Sequence, residues 1–246
     1  MFKKFLHHLL FVIFTALTAW GASFILWEAV AQAGLASGKY KSNDYTDRAF
    51  AVFSGSGWGT GWVVKLPDFE HLYIMTAAHV CGQDATLYSK QWGKHNVLVM
   101  DVVHDTCVLE FTGEAEFLAK GLVPLRFSKQ LPEYFDNVHA ISFTDPDQEY
   151  TIFGIVLFFS QVKIPEYGFN YNGIRHSAPT IPGTSGGPIL NDKNEVVCMT
   201  TMVWFSALKR TPFMGECVTA GDVEFSIAKH LKEDWRMERS HQRSEE

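Results

Sequence analysis

Three separated residues of this chain have the types and surroundings needed for nucleophilic attack on a carbonyl group. Ser185 stands among glycines in the string PGTSGGP, His79 follows two alanines in IMTAAHV, and Asp105 directly precedes an apolar run in HDTCVL. A serine hydroxyl is a weak nucleophile until a base removes its proton and donors stabilise the oxyanion that forms. A histidine is such a base, and a carboxylate can orient it. The three residues together therefore predict acyl-transfer chemistry.

The glycines around Ser185 indicate where the oxyanion would be bound. Glycine permits a tight turn in which backbone N–H groups converge on one point. The N–H groups of Gly183 and Ser185, two residues apart, are the natural pair. Each segment alone also fits a plainer interpretation: a glycine turn between strands, a surface histidine, or an aspartate in turn chemistry. Their combination favours a catalytic site.

The chain between its two ends has the pattern of short β-strands, which would position these residues. The candidate strands are rich in β-branched and aromatic residues and are separated by Gly, Pro, Asn and Asp; they are AFAVFSG, GTGWVVKL, HLYIMTA, VLVMDVV, TCVLEF, NVHAISF, YTIFGIVLFF and EVVCMTTMVWF. Helical periodicity is found near the C-terminus, at residues 226–236, where Ile227, Leu231 and Trp235 share one face. The sequence therefore predicts an all-β protein, a sandwich or a pair of barrels, with a C-terminal helix.

The composition is that of a globular protein and argues against several functions. The 246 residues are 47% hydrophobic and 20% charged, with a net charge of −6. This acidic balance argues against a nucleic-acid partner, whose recognition needs a basic surface. The four cysteines form no CxxC pair, so a structural zinc site is not expected. No other cluster of ligands suggests a metal, and the chemistry requires no organic cofactor.

The first residues predict export or membrane anchoring by an N-terminal hydrophobic helix. Residues 9–27 carry no charge and follow Lys3 and Lys4, and about 20 apolar residues span a bilayer core. Two interpretations stay open, a signal peptide cleaved after Ala33 and an uncleaved transmembrane anchor. Both put the catalytic domain on the non-cytoplasmic side. The expected organisation is residues 1–33 as signal peptide or anchor, 34–47 as linker, 48–236 as catalytic domain and 237–246 as a polar tail.

These features together resemble the trypsin-like (chymotrypsin-fold) serine peptidases, and the short bacterial and viral members more than the digestive enzymes. The strings GTGWVV, TAAH, DTCVL and GTSGGP carry the resemblance in the family's order, over residues from about 48 to 235. It implies two antiparallel six-stranded β-barrels with the active site in the cleft between them. It also implies a serine endopeptidase acting on polypeptide substrates. His79 would be base and acid, Asp105 its orienting partner, Ser185 the nucleophile, and the amides of Gly183 and Ser185 the oxyanion hole.

Two positions near these motifs are interpreted through the same resemblance. Asp101 is the alternative acid, and it is disfavoured because the family's acid directly precedes a strand of the Cys-Val-Leu type, as Asp105 does. Digestive members have an Asp before the nucleophile that pairs with a newly formed amino terminus. This chain has Thr184 there, so activation by N-terminal trimming of that kind is not expected.

The residues expected to bind substrate depart from those of trypsin. Enzymes that cut after Lys or Arg have an Asp six residues before the nucleophile, where this chain has Pro179. Thr180 completes a TxxGxSG arrangement similar to that of glutamyl endopeptidases and viral proteases that accept a P1 Glu or Gln. Those enzymes also use a His on the strand after the nucleophile, where this chain has Thr200 and Thr201; His176 is interpreted as facing solvent. A small-to-medium apolar or uncharged polar P1 residue is therefore predicted first, and Glu or Gln second.

The four cysteines permit two disulfides in an exported protein, with three possible connectivities. A disulfide between Cys81 and Cys107 would join the segments of His79 and Asp105, and one between Cys198 and Cys217 would cross-link the second barrel. A free, buried Cys107 is an equally open alternative.

Two other classes of protein share some of these sequence features with the serine endopeptidases. A catalytically inactive protease-fold binding module usually lacks a triad residue or an oxyanion glycine, and neither is missing from this chain. A hydrolase with a GxSxG elbow at Gly183 and Gly187 would have an α/β sheet and a catalytic His after the Ser. Here the candidate His comes first and helices are scarce. The binding module is therefore kept as the alternative.

Overall fold

The computed structural model describes residues 39–41, 44–45, 47–55, 57–66, 71–113, 121–205 and 212–242. The predicted signal peptide or anchor at residues 1–33, much of the linker and the last residues of the polar tail lie outside this part of the chain. Within the described residues, no helix combines the length and the apolar character needed to cross a membrane.

The N-terminal half of the described chain forms a closed barrel of antiparallel strands. After a short strand β1 (Lys39–Lys41), the barrel strands are β2 (Ala49–Ser54), β3 (Gly57–Lys65), β4 (Leu72–Thr76), β5 (Thr86–Ser89), β6 (Gly93–Asp101) and β7 (Thr106–Phe111). Their order around the barrel is β2-β3-β4-β7-β6-β5. Side chains alternate between the two faces of a strand, and the inward-facing set, which includes Val63, Ile74 and Leu109, fills the barrel.

The C-terminal half forms a second sheet of eight strands. Besides β1, they are β8 (Arg126–Phe127), β9 (Asn137–Asp145), β10 (Gln148–Ile164), β11 (Phe169–His176), β12 (Pro188–Leu190), β13 (Glu195–Phe205) and β14 (Pro212–Thr219). The long β10 pairs with β9 through its first half and with β11 through its second half. Six strands are consequently paired in a cycle, β9-β10-β11-β14-β13-β12, while β1 extends the sheet at β10 and β8 pairs in parallel with β13.

A shared hydrophobic core joins the two sheets and a C-terminal helix. This core takes Trp62 and Met75 from the barrel and Ile141 and Met199 from the second sheet. The helix α2 (Ala220–Gln242) begins directly after β14 and adds Val223, Ile227 and Leu231 to the same core. The prediction of an all-β protein with a C-terminal helix is confirmed, and the predicted helix at 226–236 is part of a longer one.

Candidate active site

His79 lies in a four-residue helix, α1 (Ala78–Cys81), at the end of β4. Ala77 and Ala78 are buried, and their small side chains let this turn pack closely against the barrel. Cys81 is bonded to Cys107 in β7. The His79 side chain is 40% exposed, so the ring remains accessible from solvent.

Asp105 ends the turn between β6 and β7, and its φ of 49° lies in the left-handed region. Its side chain is completely buried. One carboxylate oxygen, Oδ2, is 2.8 Å from Nδ1 of His79, and Oδ1 accepts a hydrogen bond of 3.0 Å from the backbone N–H of His79. Asp105 thus binds both the imidazole ring and the backbone N–H of His79. Since Nδ1 faces the carboxylate, Nε2 is the ring nitrogen available for proton transfer.

The pKa of His79 reflects this contact. Burial lowers the pKa, but the hydrogen bond and the negative charge of Asp105 together outweigh burial, so the pKa is raised above its ordinary value of 6.5. A carboxylate that stabilises imidazolium in this way is what a general base of a serine hydrolase needs.

Asp101, the alternative acid, is bonded to a different histidine. Its Oδ2 lies 2.7 Å from Nδ1 of His104, and none of its hydrogen bonds reaches His79. The arrangement of the two carboxylates therefore favours Asp105 as the partner of His79.

Ser185 lies in the loop between β11 and β12, which turns back on itself tightly. The hydroxyl of Thr184 donates a hydrogen bond of 2.7 Å to the carbonyl of Ile181, and the N–H of Gly187 donates one of 2.9 Å to the carbonyl of Thr184. Gly183 and Gly186 have φ values of 91° and 80°, which side chains with a Cβ rarely adopt. The glycines are thus required by the shape of this loop.

The loop of Ser185 is bound to the first barrel by two side chains of β3. Thr60 donates from Oγ1 to the carbonyl of Gly183 over 2.7 Å, and its N–H donates to the carbonyl of Ser185 over 2.8 Å. Trp62 donates from Nε1 to the carbonyl of Gly186 over 3.1 Å. Thr60 and Trp62 were not singled out from the sequence, although both lie in the GTGWVV string that contributed to the family resemblance.

Gly186 brings the loop against the segment that leads to His79. A Cβ at this position would lie 2.6 Å from the backbone nitrogen of Ala77 and 2.3 Å from Oγ1 of Thr76. No real Cβ is accommodated at such distances, so only glycine permits the approach. Ser185 and His79 thereby belong to segments in direct contact, although their side chains form no hydrogen bond with each other in this structure.

The amides of the loop divide into two sets. Those of Thr184, Gly186 and Gly187 donate to backbone carbonyls. Those of Gly183 and Ser185, the predicted oxyanion pair, have no acceptor among the described residues. An oxyanion hole requires N–H groups that are not already donating to protein carbonyls, and these two meet that requirement within the described residues. No group of three or more His, Cys, Asp or Glu side chains is placed to hold a metal ion within the described part of the chain.

The four predicted substrate-binding residues separate into distinct environments. Pro179 is half-buried and Thr180 is buried beside it. Thr200 is bonded through its backbone to the loop of Ser185, because its carbonyl accepts a hydrogen bond of 2.8 Å from the N–H of Gly186. The hydroxyl of Thr201 lies 2.7 Å from that of Tyr171 and is therefore already engaged within the sheet.

The prediction that His176 faces solvent is wrong. It ends β11, is 1% exposed, and neither ring nitrogen has a hydrogen-bond partner among the described residues. Nε2 of His176 and the hydroxyl oxygen of Thr180 both lie close to Gly215. A Cβ added to Gly215 would be 2.5 Å from that nitrogen and 2.2 Å from that oxygen. Burial lowers the pKa of His176 to about 4 and outweighs the backbone of Ala178, which acts to raise it. The neutral ring consequently stands next to Thr180.

Three of the solved structures that resemble this fold are described as proteases. The active form of the Rv3671c protease from M. tuberculosis superposes with a TM-score of 0.61 at 18% identity, over 78% of this chain and 88% of that one. A serine endoprotease from Yersinia pestis gives 0.57 at 17% identity, over 78% and 68%. The HtrA-type protease AlgW, solved with a tripeptide, gives 0.61 at 17% identity, over 75% and 61%. At this level of identity the likeness establishes the fold alone.

Similarity in sequence establishes the family. No curated protein sequence matches the chain significantly. The family model described as a trypsin-like peptidase domain matches residues 59–199, more than half of the chain and the part that contains His79, Asp105 and Ser185. The chain therefore belongs to the trypsin-like peptidase family and is a serine endopeptidase.

Proposed function

We propose that His79, Asp105 and Ser185 form the catalytic triad of this endopeptidase. Ser185 Oγ attacks the carbonyl carbon of the scissile peptide bond while its proton passes to Nε2 of His79. Asp105 stabilises the resulting imidazolium through Nδ1. The same proton then moves from Nε2 to the leaving amine, which departs and leaves an acyl group on Oγ. A water molecule, deprotonated by His79, hydrolyses this ester and restores the serine.

The amides of Gly183 and Ser185 are proposed to bind the oxyanion of both tetrahedral intermediates. The observation that carries the whole proposal is the 2.8 Å contact between Asp105 and His79, made on a segment that packs against the loop of Ser185. Since the chemistry consists of proton transfers and attack by an oxygen nucleophile, the residues named supply all its steps.

Labelling with a fluorophosphonate probe tests the triad directly. The wild-type protein is expected to react at Ser185, Ser185→Ala to lose all labelling, and His79→Ala to react at least about 100-fold more slowly. Ser128→Ala, which changes a serine whose hydroxyl is bonded to the Gln130 backbone, is the matched control and keeps the wild-type rate. Absence of labelling in folded wild-type protein would support the inactive binding module instead.

The substrate specificity proposed for this site is an uncharged P1 residue, small-to-medium and apolar or polar, with Glu or Gln as the second choice. Pro179 and Thr180 supply no charge that would select Lys or Arg. His176, beside Thr180, is neutral at pH 7 because burial lowers its pKa, and a neutral imidazole with a hydroxyl favours a P1 amide over a carboxylate. Thr200 and Thr201 complete the proposed set of substrate-binding residues.

Cleavage of a mixed peptide library measures this preference. We expect uncharged P1 residues to dominate and Lys and Arg to be rejected. Thr180→Val is expected to reduce cleavage after polar residues more than after apolar ones. A library cut mainly after Lys or Arg would contradict the assignment without affecting the triad.

The loop of Ser185 is proposed to reach its active conformation without pairing to a newly formed amino terminus. Thr184 stands where digestive members have an acidic residue, and its hydroxyl is satisfied inside the loop. Protein produced with a blocked amino terminus is therefore expected to be fully active. Activity that appears only after release of a new amino terminus would contradict this.

The proposed localisation is export or membrane anchoring, with the catalytic domain on the non-cytoplasmic side and no nucleic-acid partner. The disulfides Cys81–Cys107 and Cys198–Cys217 support it, because such bonds persist in oxidising compartments. In intact cells, added protease should reach the catalytic domain, and mass spectrometry of native protein should detect both bonds. A protein that resists the added protease in intact cells and has four free thiols would contradict the proposal.

A further inference from the structure

The turn that carries Asp105 is held by an unusually well-bonded carboxylate. Asp101 ends β6 and is 6% exposed. Within the turn, its Oδ1 accepts hydrogen bonds from the N–H groups of Val103, over 2.9 Å, and His104, over 3.4 Å. Its Oδ2 lies 2.7 Å from Nδ1 of His104. Asp101 therefore organises the backbone that leads directly into Asp105.

The same carboxylate is also bound by the C-terminal helix. Ser226 donates a hydrogen bond of 2.6 Å from Oγ to Oδ2 of Asp101, across 125 residues of chain. Nε2 of His230 lies 3.4 Å from that oxygen. Ser226 and His230 are four residues apart and so share one face of α2. One buried carboxylate thus links the turn of the catalytic acid to the last element of the fold.

The helix α2 is packed firmly against the rest of the molecule, so its contacts with Asp101 can fix the position of the turn that carries Asp105. Val223, Ile227 and Leu231 pack into the core shared by the two sheets. Near its start, Asp222 accepts hydrogen bonds from the backbone and side chain of Asn172 in β11. The turn receives a further contact from β11, where Asn170 donates its N–H to the carbonyl of Val103 over 2.9 Å.

We propose that Asp101, bound by Ser226 and His230 of α2, is a positioning residue for the catalytic acid, so that the C-terminal helix is part of the machinery that aligns the triad. The proposal rests on the roles assigned above to His79 and Asp105. Asp105 adopts a left-handed backbone conformation, which is uncommon for residues other than glycine, and the hydrogen bonds of Asp101 to Val103 and His104 hold the turn that leads into it. When this support is removed, the carboxylate of Asp105 is less well aligned with His79.

The pKa values of Asp101 and His104 agree with a carboxylate that stays ionised and bonded to α2. Burial raises the pKa of Asp101, but hydrogen bonds from His104 and Ser226 and the charge of His104 outweigh it, so the pKa is well below its ordinary range. The hydrogen bond to Asp101 raises the pKa of His104; Asp222 adds to this, while burial and Lys229 oppose it. Asp101 therefore keeps its negative charge at pH values at which an ordinary Asp is partly protonated.

The test compares steady-state kinetics of the full chain with Asp101→Asn, Ser226→Ala and a control. Asp101→Asn is expected to lower kcat about 10- to 100-fold with KM changed less than about threefold, since small displacements of catalytic groups have effects of that size. Ser226→Ala is expected to lower kcat about fivefold, the equivalent of one hydrogen bond. Glu224→Gln, on the same helix but facing Lys129, should keep the wild-type kcat.

The pH profile separates positioning from a merely structural role. Because Asp105 raises the pKa of His79, weaker alignment should move the acid limb of kcat/KM to lower pH in Asp101→Asn and Ser226→Ala, but not in Glu224→Gln. Folded variants with wild-type kcat and an unshifted acid limb would overturn the proposal. If Asp101→Asn does not fold, Ser226→Ala and His230→Gln decide by the same criteria. Should Ser185→Ala retain activity, the proposed triad fails instead, which is a distinguishable result.

Discussion

A hydrogen bond between Thr60 and Gly183 joins the two sheets at the loop of Ser185. The hydroxyl of Thr60, on β3 of the barrel, donates to the Gly183 carbonyl over 2.7 Å and accepts from the N–H of Phe143 over 3.0 Å. Thr60 is completely buried. Since Gly183 also contributes one of the proposed oxyanion amides, a side chain of the opposite sheet binds the residue that carries this amide.

Replacing this hydroxyl should affect both stability and catalysis. Thr60→Val keeps the shape but leaves the Gly183 carbonyl and the Phe143 amide buried without a partner. We expect the free energy of unfolding to fall by about 1–3 kcal/mol and kcat by about tenfold, measured by denaturant titration and peptide hydrolysis. Thr151→Val is the matched control, because the buried hydroxyl of Thr151 has no hydrogen-bond partner among the described residues. Equal effects of the two substitutions would contradict this role of Thr60.

The pH dependence of hydrolysis should report the contact between His79 and Asp105. The proposed base, His79, can accept a proton only when it is unprotonated, and its pKa is raised above 6.5, so kcat/KM should increase with pH through a midpoint above that value. Asp105→Asn removes the charge that raises this pKa, so the midpoint should move to lower pH. The same change should lower kcat by about 10⁴-fold, as in other serine triads. An acid limb that does not move would show that Asp105 does not control His79.

The disulfide Cys81–Cys107 should support catalysis more than its counterpart does. Cys81 lies two residues after His79, and Cys107 two residues after Asp105, so this bond joins the two segments that must stay aligned. Replacing both cysteines by Ala should lower stability by about 2–4 kcal/mol and also reduce kcat. The matched control replaces Cys198 and Cys217 by Ala. It should lower the stability of the protein by a similar amount and leave the kcat of the folded fraction unchanged. The reverse ranking of the two kcat values would count against a local role for Cys81–Cys107.

Two buried histidines should make the fold sensitive to acid. Burial lowers the pKa of both His95 and His176 to about 4 and outweighs the backbone of Glu110 and of Ala178, respectively, which acts to raise it. A pKa that is lower in the folded than in the unfolded state stabilises the protein above the unfolded value of 6.5, and this contribution is lost as the pH falls toward 4. Each histidine is worth up to about 3 kcal/mol over that range.

Chemical denaturation at a series of pH values measures this loss. His95→Gln keeps a polar side chain near Ser89, to which His95 is bonded over 2.8 Å, but does not titrate. Its stability should vary less between pH 6.5 and 4 than that of the wild type. His71→Gln, at an exposed position, should retain the wild-type dependence. An identical slope for His95→Gln and the wild type would refute the assignment.

Several strands could not be predicted because their residues are not apolar enough in sequence. The string FNYNGIRH contains two asparagines and an arginine, yet it forms β11, whose alternate residues Ile174 and His176 are buried. Its partner β14 likewise contains Glu216, which is buried and bonded to Arg175. These strands are stabilised by pairing with strands distant in sequence, which local hydrophobicity does not record. The misassignment of His176 to solvent has this cause.

The sequence by itself determined the chemistry of this protein. The strings around His79, Asp105 and Ser185 depend on neighbouring residues, whose types and spacing can be read along the chain. The resemblance of these strings to the trypsin-like peptidases favoured Asp105 over Asp101.

Only the tertiary structure decided how these parts are held together. The contact of Thr60 with Gly183 spans 123 residues and that of Asp101 with Ser226 spans 125. Such contacts arise from the packing of two sheets and a helix around a shared core, and burial then gives each hydrogen bond its strength. No local pattern encodes this arrangement, so the supporting residues of the active site became visible only in the folded chain.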